Sequence, residues 1–171
     1  MICKCGRYIS GDYCTLCDTV LFEKQSKVKA KIIKLPRAKG KEKTVGQLDK
    51  ILWGIFSEYI RRRDALKFSK GDIAKCITCS HISHWKEGDC GHGISRRHQG
   101  TKYDEKNNHF QCKGCNGLKA GKQFEYMLAV DRMYGKGTAE FLLMKSKQIC
   151  KRKAIDFKIM IEEYKIKLKN L

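Results

Sequence analysis

The sequence predicts an α+β fold: a small zinc-stapled β-β-α unit flanked by helices, with a small zinc ribbon at the amino end. Two observations carry this expectation. Eight of the ten cysteines fall into two groups of close pairs, Cys3, Cys5, Cys14 and Cys17, then Cys76, Cys79, Cys112 and Cys115. Apolar residues recur at helical spacing on both sides of the second group, whereas residues 72–121 are rich in Cys, His, Gly and Asn. A stretch so poor in core-forming side chains needs another source of stability, and a structural metal supplies one.

Four regions separate by composition. Residues 1–22 read as a zinc ribbon or knuckle and residues 23–43 as a basic linker or arm. Residues 44–171 read as a helix-flanked domain with its core at 76–121 and carboxyl-terminal helices at 122–171. The amino-terminal set has C-x-C, x₈, C-x₂-C spacing, with Gly6 and Gly11 available for tight turns. It suits DNA or protein binding, or simply capping the terminus. Residues 24–43 hold nine basic residues against a single acid, Glu42, which makes a solvated tether able to lie along phosphates.

Thr44 and Gln47 have the spacing of a capping box. Leu48, Ile51, Leu52, Ile55, Phe56 and Tyr59 then give one apolar face, predicting a helix to about Leu66. Arg61, Arg62 and Arg63 face several directions near its end and are candidate DNA contacts. Gln123–Tyr134 reads as a helix stopped by Gly135-Lys136-Gly137, Thr138 starts another, and Arg152–Lys169 form a third. In the last, Phe157, Met160, Ile161, Tyr164 and Leu168 make one stripe, and Ile155, Ile159 and Ile166 a second. Two apolar faces suggest packing on the domain and against a neighbouring helix or subunit, hence a homodimer.

Lys+Arg 37 against Asp+Glu 18 gives a formal charge of +19. Each Cys₄–zinc site carries two negative charges, so two sites lower the figure to about +15. The expected partner is a polyanion. No signal peptide or spanning segment is visible, so no membrane role is expected, and the cytoplasm is the expected location. Cysteines in a reducing compartment read as metal ligands rather than disulfides.

Cys76-x₂-Cys79 and Cys112-x₂-Cys115, separated by 32 residues, provide the two knuckles of a tetrahedral site. Four thiolates leave no open position, so this zinc is structural. Of the remaining pair, Cys150 is expected to pack within a helix, and Cys90 sits beside the candidate active site. Between the knuckles lie Asp89, His92, Asn107 and His109, and Asn116 follows the second knuckle. A histidine before a loop, an asparagine within it, and a polar ligand after the second knuckle fit an HNH-like, ββα-metal core ending in asparagine.

Phosphodiester hydrolysis needs a base for water, and neutral imidazole titrates near working pH. It also needs a cation against the charge that develops on phosphate, and a hard ion such as Mg²⁺ or Mn²⁺ prefers oxygen ligands. His92 is therefore the expected base, and Asn107 is expected to orient its loop. Asp89, Asn116 and His109 are candidate ligands of the catalytic divalent ion, although His109 would equally serve to shape the turn before Cys112. Arg96, Arg97, Lys113 and Lys119 are candidate phosphate contacts. His81, His84 and His98 are expected at the surface or on DNA, and Trp85 in the core.

Asp89-Cys-Gly-His92-Gly-Ile-Ser-Arg96, Thr101-Lys-Tyr-Asp-Glu-Lys-Asn107 and Gln111-Cys-Lys-Gly-Cys-Asn116 resemble the phage NinG (Rap) recombination nucleases. The likeness runs from about Leu48 to the carboxyl terminus. It implies an HNH-type endodeoxyribonuclease specific for branched intermediates such as Holliday junctions and D-loops. It further implies phage or host recombination proteins as partners, and the bacterial host cytoplasm as location. Three positions depart from that family pattern: Cys90 replaces another small residue, Gly93 an aromatic, and Gly121-Lys122 a Gly-Asn pair. The competing expectations are a non-catalytic zinc-binding DNA module and a sequence-reading HNH nuclease of the homing or restriction type.

Overall fold

A computed structural model describes residues 42–171. The ribbon expected from Cys3, Cys5, Cys14 and Cys17, and most of the basic arm, lie outside the described residues. Among them the element order is α1 (Val45–Ser69), β1 (Ile73–Lys75), β2 (Ile82–His84), β3 (Asp89–His92), a short α2 (Gln99–Lys102) and β4 (Asn108–Gln111). A π-helical turn (Gly114–Leu118), a 3₁₀ turn (Ala120–Lys122), α3 (Gln123–Tyr134), α4 (Thr138–Ser146) and α5 (Ala154–Lys169) follow. The fold is α+β, its strands confined to two antiparallel hairpins.

Helix α1 begins where Thr44 and Gln47 exchange backbone-to-side-chain hydrogen bonds, at 2.9 and 3.3 Å. This reciprocal cap satisfies two amide donors that a helix start leaves open. Leu48, Leu52, Phe56 and Ile60 follow at four-residue intervals and are all buried. Phe56 makes edge-to-face contacts with Tyr103, 5.3 Å away, and with Tyr164 of α5, 4.9 Å away. Such aromatic pairs contribute about 0.5–1.5 kcal/mol beyond the area they bury. The core between α1 and α5 is completed by Phe157 and Ile161. The second stripe of α5 stays outside it, with Ile155 and Ile166 both 47% exposed.

Strand β1 pairs with β2 from Ile73↔His84 to Lys75↔Ile82, and β3 pairs with β4 from Asp89↔Gln111 to His92↔Asn108. Close approach in the second hairpin requires glycine. A Cβ at Gly91 would collide with the Gln111 side chain, and one at Gly93 would stand 2.9 Å from the Tyr126 ring. The absence of an aromatic at Gly93 is thus built into the packing of α3 against this hairpin. Gly121 (φ 82°) and Lys122 (φ 46°) both take left-handed backbone. Asparagine tolerates that region well, and here lysine occupies it.

A second apolar cluster joins Ile94 to Tyr126, Val130 and Leu142 of α3 and α4. Trp85 packs partly buried on a third, smaller cluster, with its Nε1 donating to Asp72 at 3.0 Å. One sequence expectation needs correction: Cys150 lies between α4 and α5, in no helix. Residues 147–153 connect α4 to α5. No helix among the described residues is long and apolar enough to cross a membrane.

Candidate active site and metal centre

The loop after β1 carries Cys76 and Cys79, and the turn after β4 carries Cys112 and Cys115. Their four sulfurs lie within 4.8 Å of one another, and Cys79 Sγ stands 3.7 Å from Cys112 Sγ. Zinc bonded to sulfur at about 2.3 Å sets tetrahedral sulfur–sulfur edges of roughly 3.8 Å, so this cluster fits a zinc ion. Cys76 and Cys115 are buried, and Cys79 is exposed. Burial opposes ionisation of Cys76, but the Thr78 hydroxyl and nearby backbone amides outweigh it and bring the thiol down to about 6. Cys90 stands apart from this cluster. Burial pushes its thiol up to about 12, and its sulfur points at Asn108 Oδ1, 3.8 Å away.

The cluster brings the loop after β1 to the turn after β4, where the π-helical turn that carries Cys115 follows the β3–β4 pairing. There a cleft of about 480 Å³ brings together Asp89, His92, Arg61, Arg96, Lys113 and Asn116. Asn116 Nδ2 donates to Asp89 Oδ2 at 2.9 Å. A carboxylate and an amide so placed present oxygen donors of the kind a hard divalent cation takes. Burial depresses the His92 imidazole below its ordinary 6.5, the Arg96 guanidinium depresses it further, and the Cys90 carbonyl only partly opposes them. His92 Nδ1 is buried and makes no hydrogen bond to protein.

Asn107 is fully buried behind this strand. Its Oδ1 accepts from Ile94 N at 2.8 Å, and its Nδ2 donates to the carbonyls of Ile94 and Thr101 at 3.0 and 3.1 Å. The Gly93 amide donates to the Asn107 carbonyl at 3.0 Å. Three of these hydrogen bonds fix the two residues that follow His92, and the fourth ties them to Thr101.

The arginine run divides. Arg61 leans on the Trp85 ring at 5.3 Å and faces the cleft, held through its Nε by the Ser57 carbonyl at 3.2 Å. Arg62 pairs with Glu58 at 3.6 Å. Arg63 is corrected outright: it is 6% exposed, bonded to Asp64, the Asn108 carbonyl and the Glu105 carbonyl, and so is out of reach of DNA. His109 is corrected as a catalytic residue and as a ligand beside Asp89 and Asn116. It is 1% exposed, and its Nδ1 bonds Asp64 Oδ2 at 3.1 Å, outside the cleft. Arg97 is exposed, and Lys119 borders a shallower hollow beside Cys79 and Cys112.

The sequence profile of the bacteriophage lambda NinG protein matches residues 19–171. The chain belongs to the NinG family. Membership suggests a phage protein related to recombination. No curated protein and no solved structure gives a match. Besides Lys86 and Gly88, the cleft of this NinG family chain includes two residues with no local sequence signal, Trp53 and Ser57. With Arg61 they sit at four-residue steps along α1, so helical phase alone would have put all three on one face. Arg96 lies over the Trp53 ring at 5.3 Å, which orients the guanidinium at the cleft mouth. Glu105 was missed too. It accepts from Tyr59, Tyr164 and Lys167, at 3.2, 3.3 and 2.8 Å, tying α1 to α5.

Proposed function

We propose that this protein is a metal-dependent, structure-specific DNA endonuclease that hydrolyses phosphodiesters in branched recombination intermediates. The observation that carries the hydrolytic reading is the cleft itself: a half-buried histidine with a lowered pKa, an Asp–Asn pair, and a rim of Arg61, Arg96 and Lys113. Branched DNA as the substrate is supported by the family rather than by the cleft.

In this reading Arg61, Arg96 and Lys113 hold the non-bridging oxygens of one phosphate. His92, neutral because of its burial, takes a proton from water, whose oxygen attacks phosphorus as the bond to the leaving sugar oxygen breaks. The leaving oxygen takes its proton from solvent. Asp89 and Asn116 would hold Mg²⁺ or Mn²⁺, which when bound would supply positive charge against that developing on the phosphate and leaving oxygen. The four cysteines would hold a separate zinc, and four thiolates would leave no position on it for the substrate.

Supplying a four-way junction, a flap and a linear duplex with Mg²⁺ or Mn²⁺ tests the reading. Cutting of branched DNA with little cutting of duplex is expected. Binding without cutting of any substrate would make this a zinc-built DNA-binding module, and cutting at one sequence in linear duplex would make it a sequence-reading nuclease.

A further inference from the structure

A second cavity, of about 440 Å³, shares helix α1 with the cleft but none of its lining residues. Its volume falls within the roughly 300–1,000 Å³ usual for small-ligand clefts. His109 forms part of the wall, and its Nε2 is buried without a hydrogen-bond partner. Its Nδ1 lies 3.1 Å from both Asp64 Oδ2 and Arg63 Nη2, so the other ring nitrogen, Nε2, is the one that no protein group meets. A buried polar atom in a cavity wall is completed by a ligand that brings a hydrogen-bonding partner.

The rest of the lining narrows the ligand. Phe68 and Met133 border the cavity while 45% and 50% exposed, a surface suited to the face of a planar ring. Lys67, Lys75 and Arg132 stand around it, and none of them pairs with a carboxylate among the described residues. A planar ring with hydrogen-bonding edges joined to an anion is the chemistry a nucleotide presents. The basic arm at residues 24–43 is a poor alternative occupant, because it would bring nine cations to a cationic rim. Building on the branched-DNA reading above, we propose that this cavity receives an unpaired nucleotide turned out of the substrate. A polar edge atom of the base then meets His109 Nε2, and the phosphate meets Lys67, Lys75 and Arg132.

The test uses the full chain without divalent ions, so that no DNA is cut. A four-way junction carries 2-aminopurine at the branch, with a matched linear duplex as control. The expected result is a several-fold rise in fluorescence on the junction, absent on the duplex. Ala129→Leu, which adds bulk to the cavity lining, should abolish the rise while binding measured by anisotropy stays within about twofold. Lys75→Glu, at an exposed position that leaves the fold intact, should reduce the rise more than Lys136→Glu, an exposed site outside the cavity. A rise that persists in both cavity variants overturns the proposal, as does binding without any rise. In either case a separate finding of junction cleavage would leave the nuclease reading standing. Failure to bind DNA at all would remove both.

Discussion

Asn107 and Ile94 exchange two hydrogen bonds: Oδ1 accepts from the Ile94 amide at 2.8 Å and Nδ2 donates to the Ile94 carbonyl at 3.0 Å. The pair fixes the chain two residues beyond His92 from a side chain with no solvent exposure. Asn107→Ala leaves two carbonyls and one amide without their partner. The expected cost is about 2–4 kcal/mol by denaturant unfolding, since each buried group left unmet costs about 1–3 kcal/mol and relaxation recovers part of it. DNA cleavage should fall as well, even under conditions where the variant remains folded. Full activity in a folded Asn107→Ala protein would detach this side chain from the His92 loop.

Arg61 and Arg63 are two positions apart and should behave oppositely. Arg63→Ala strands the Asp64 carboxylate in the interior. Burial resists that charge, yet hydrogen bonding to His109 and the Arg63 charge hold it below the usual carboxylate range. Removing one partner of a buried pair costs about 3–5 kcal/mol. Arg61→Ala should change stability by about 1 kcal/mol or less and weaken DNA binding instead. Unfolding curves and fluorescence anisotropy on the two variants check the order, and the reverse order would contradict it.

That contrast marks what the sequence could disclose. The helices were legible because their apolar positions repeat every three or four residues and the cap at Thr44 and Gln47 is local. The four-cysteine cluster was legible because each knuckle is a short-range signature. Arg63 and His109 were misread because their partners arise from pairing across 45 residues between α1 and β4. No local pattern distinguishes a buried arginine from its exposed neighbours. The cleft was legible in Asp89, His92 and Asn116, whereas Trp53 and Ser57 needed the phase of α1 to be followed around the helix.

The His92 imidazole supplies a pH test. A general base acts when unprotonated, so cleavage should rise with pH through the folded pKa of His92 and level off above it. Burial and the Arg96 guanidinium both lower that pKa, which puts the acid limb below the ordinary 6.5. Arg96→Gln removes the second influence, and the limb should move to higher pH while the plateau falls with the lost phosphate contact. A pH–rate profile in Mg²⁺ measures both. A limb that stays in place in the variant would separate His92 from the proton transfer.

Zinc content distinguishes scaffold from catalysis. Two equivalents per chain are expected, one at Cys76, Cys79, Cys112 and Cys115, and one at Cys3, Cys5, Cys14 and Cys17. Cys115→Ser should lose one equivalent and destabilise the hairpins, because a structural site contributes binding energy directly to folding. Unchanged metal content would remove zinc from that cluster.

The central claim is that His92 is the base of a phosphodiester hydrolysis. Nicking of a four-way junction in Mg²⁺ or Mn²⁺ by wild type and by His92→Ala, each checked for zinc content and junction affinity, tests it most directly. Wild type should nick the junction, while the variant binds it equally and cuts at least about a hundredfold more slowly, the lower end of what general acid–base catalysis contributes. Equal cleavage by the two proteins, or none by either, would contradict the account.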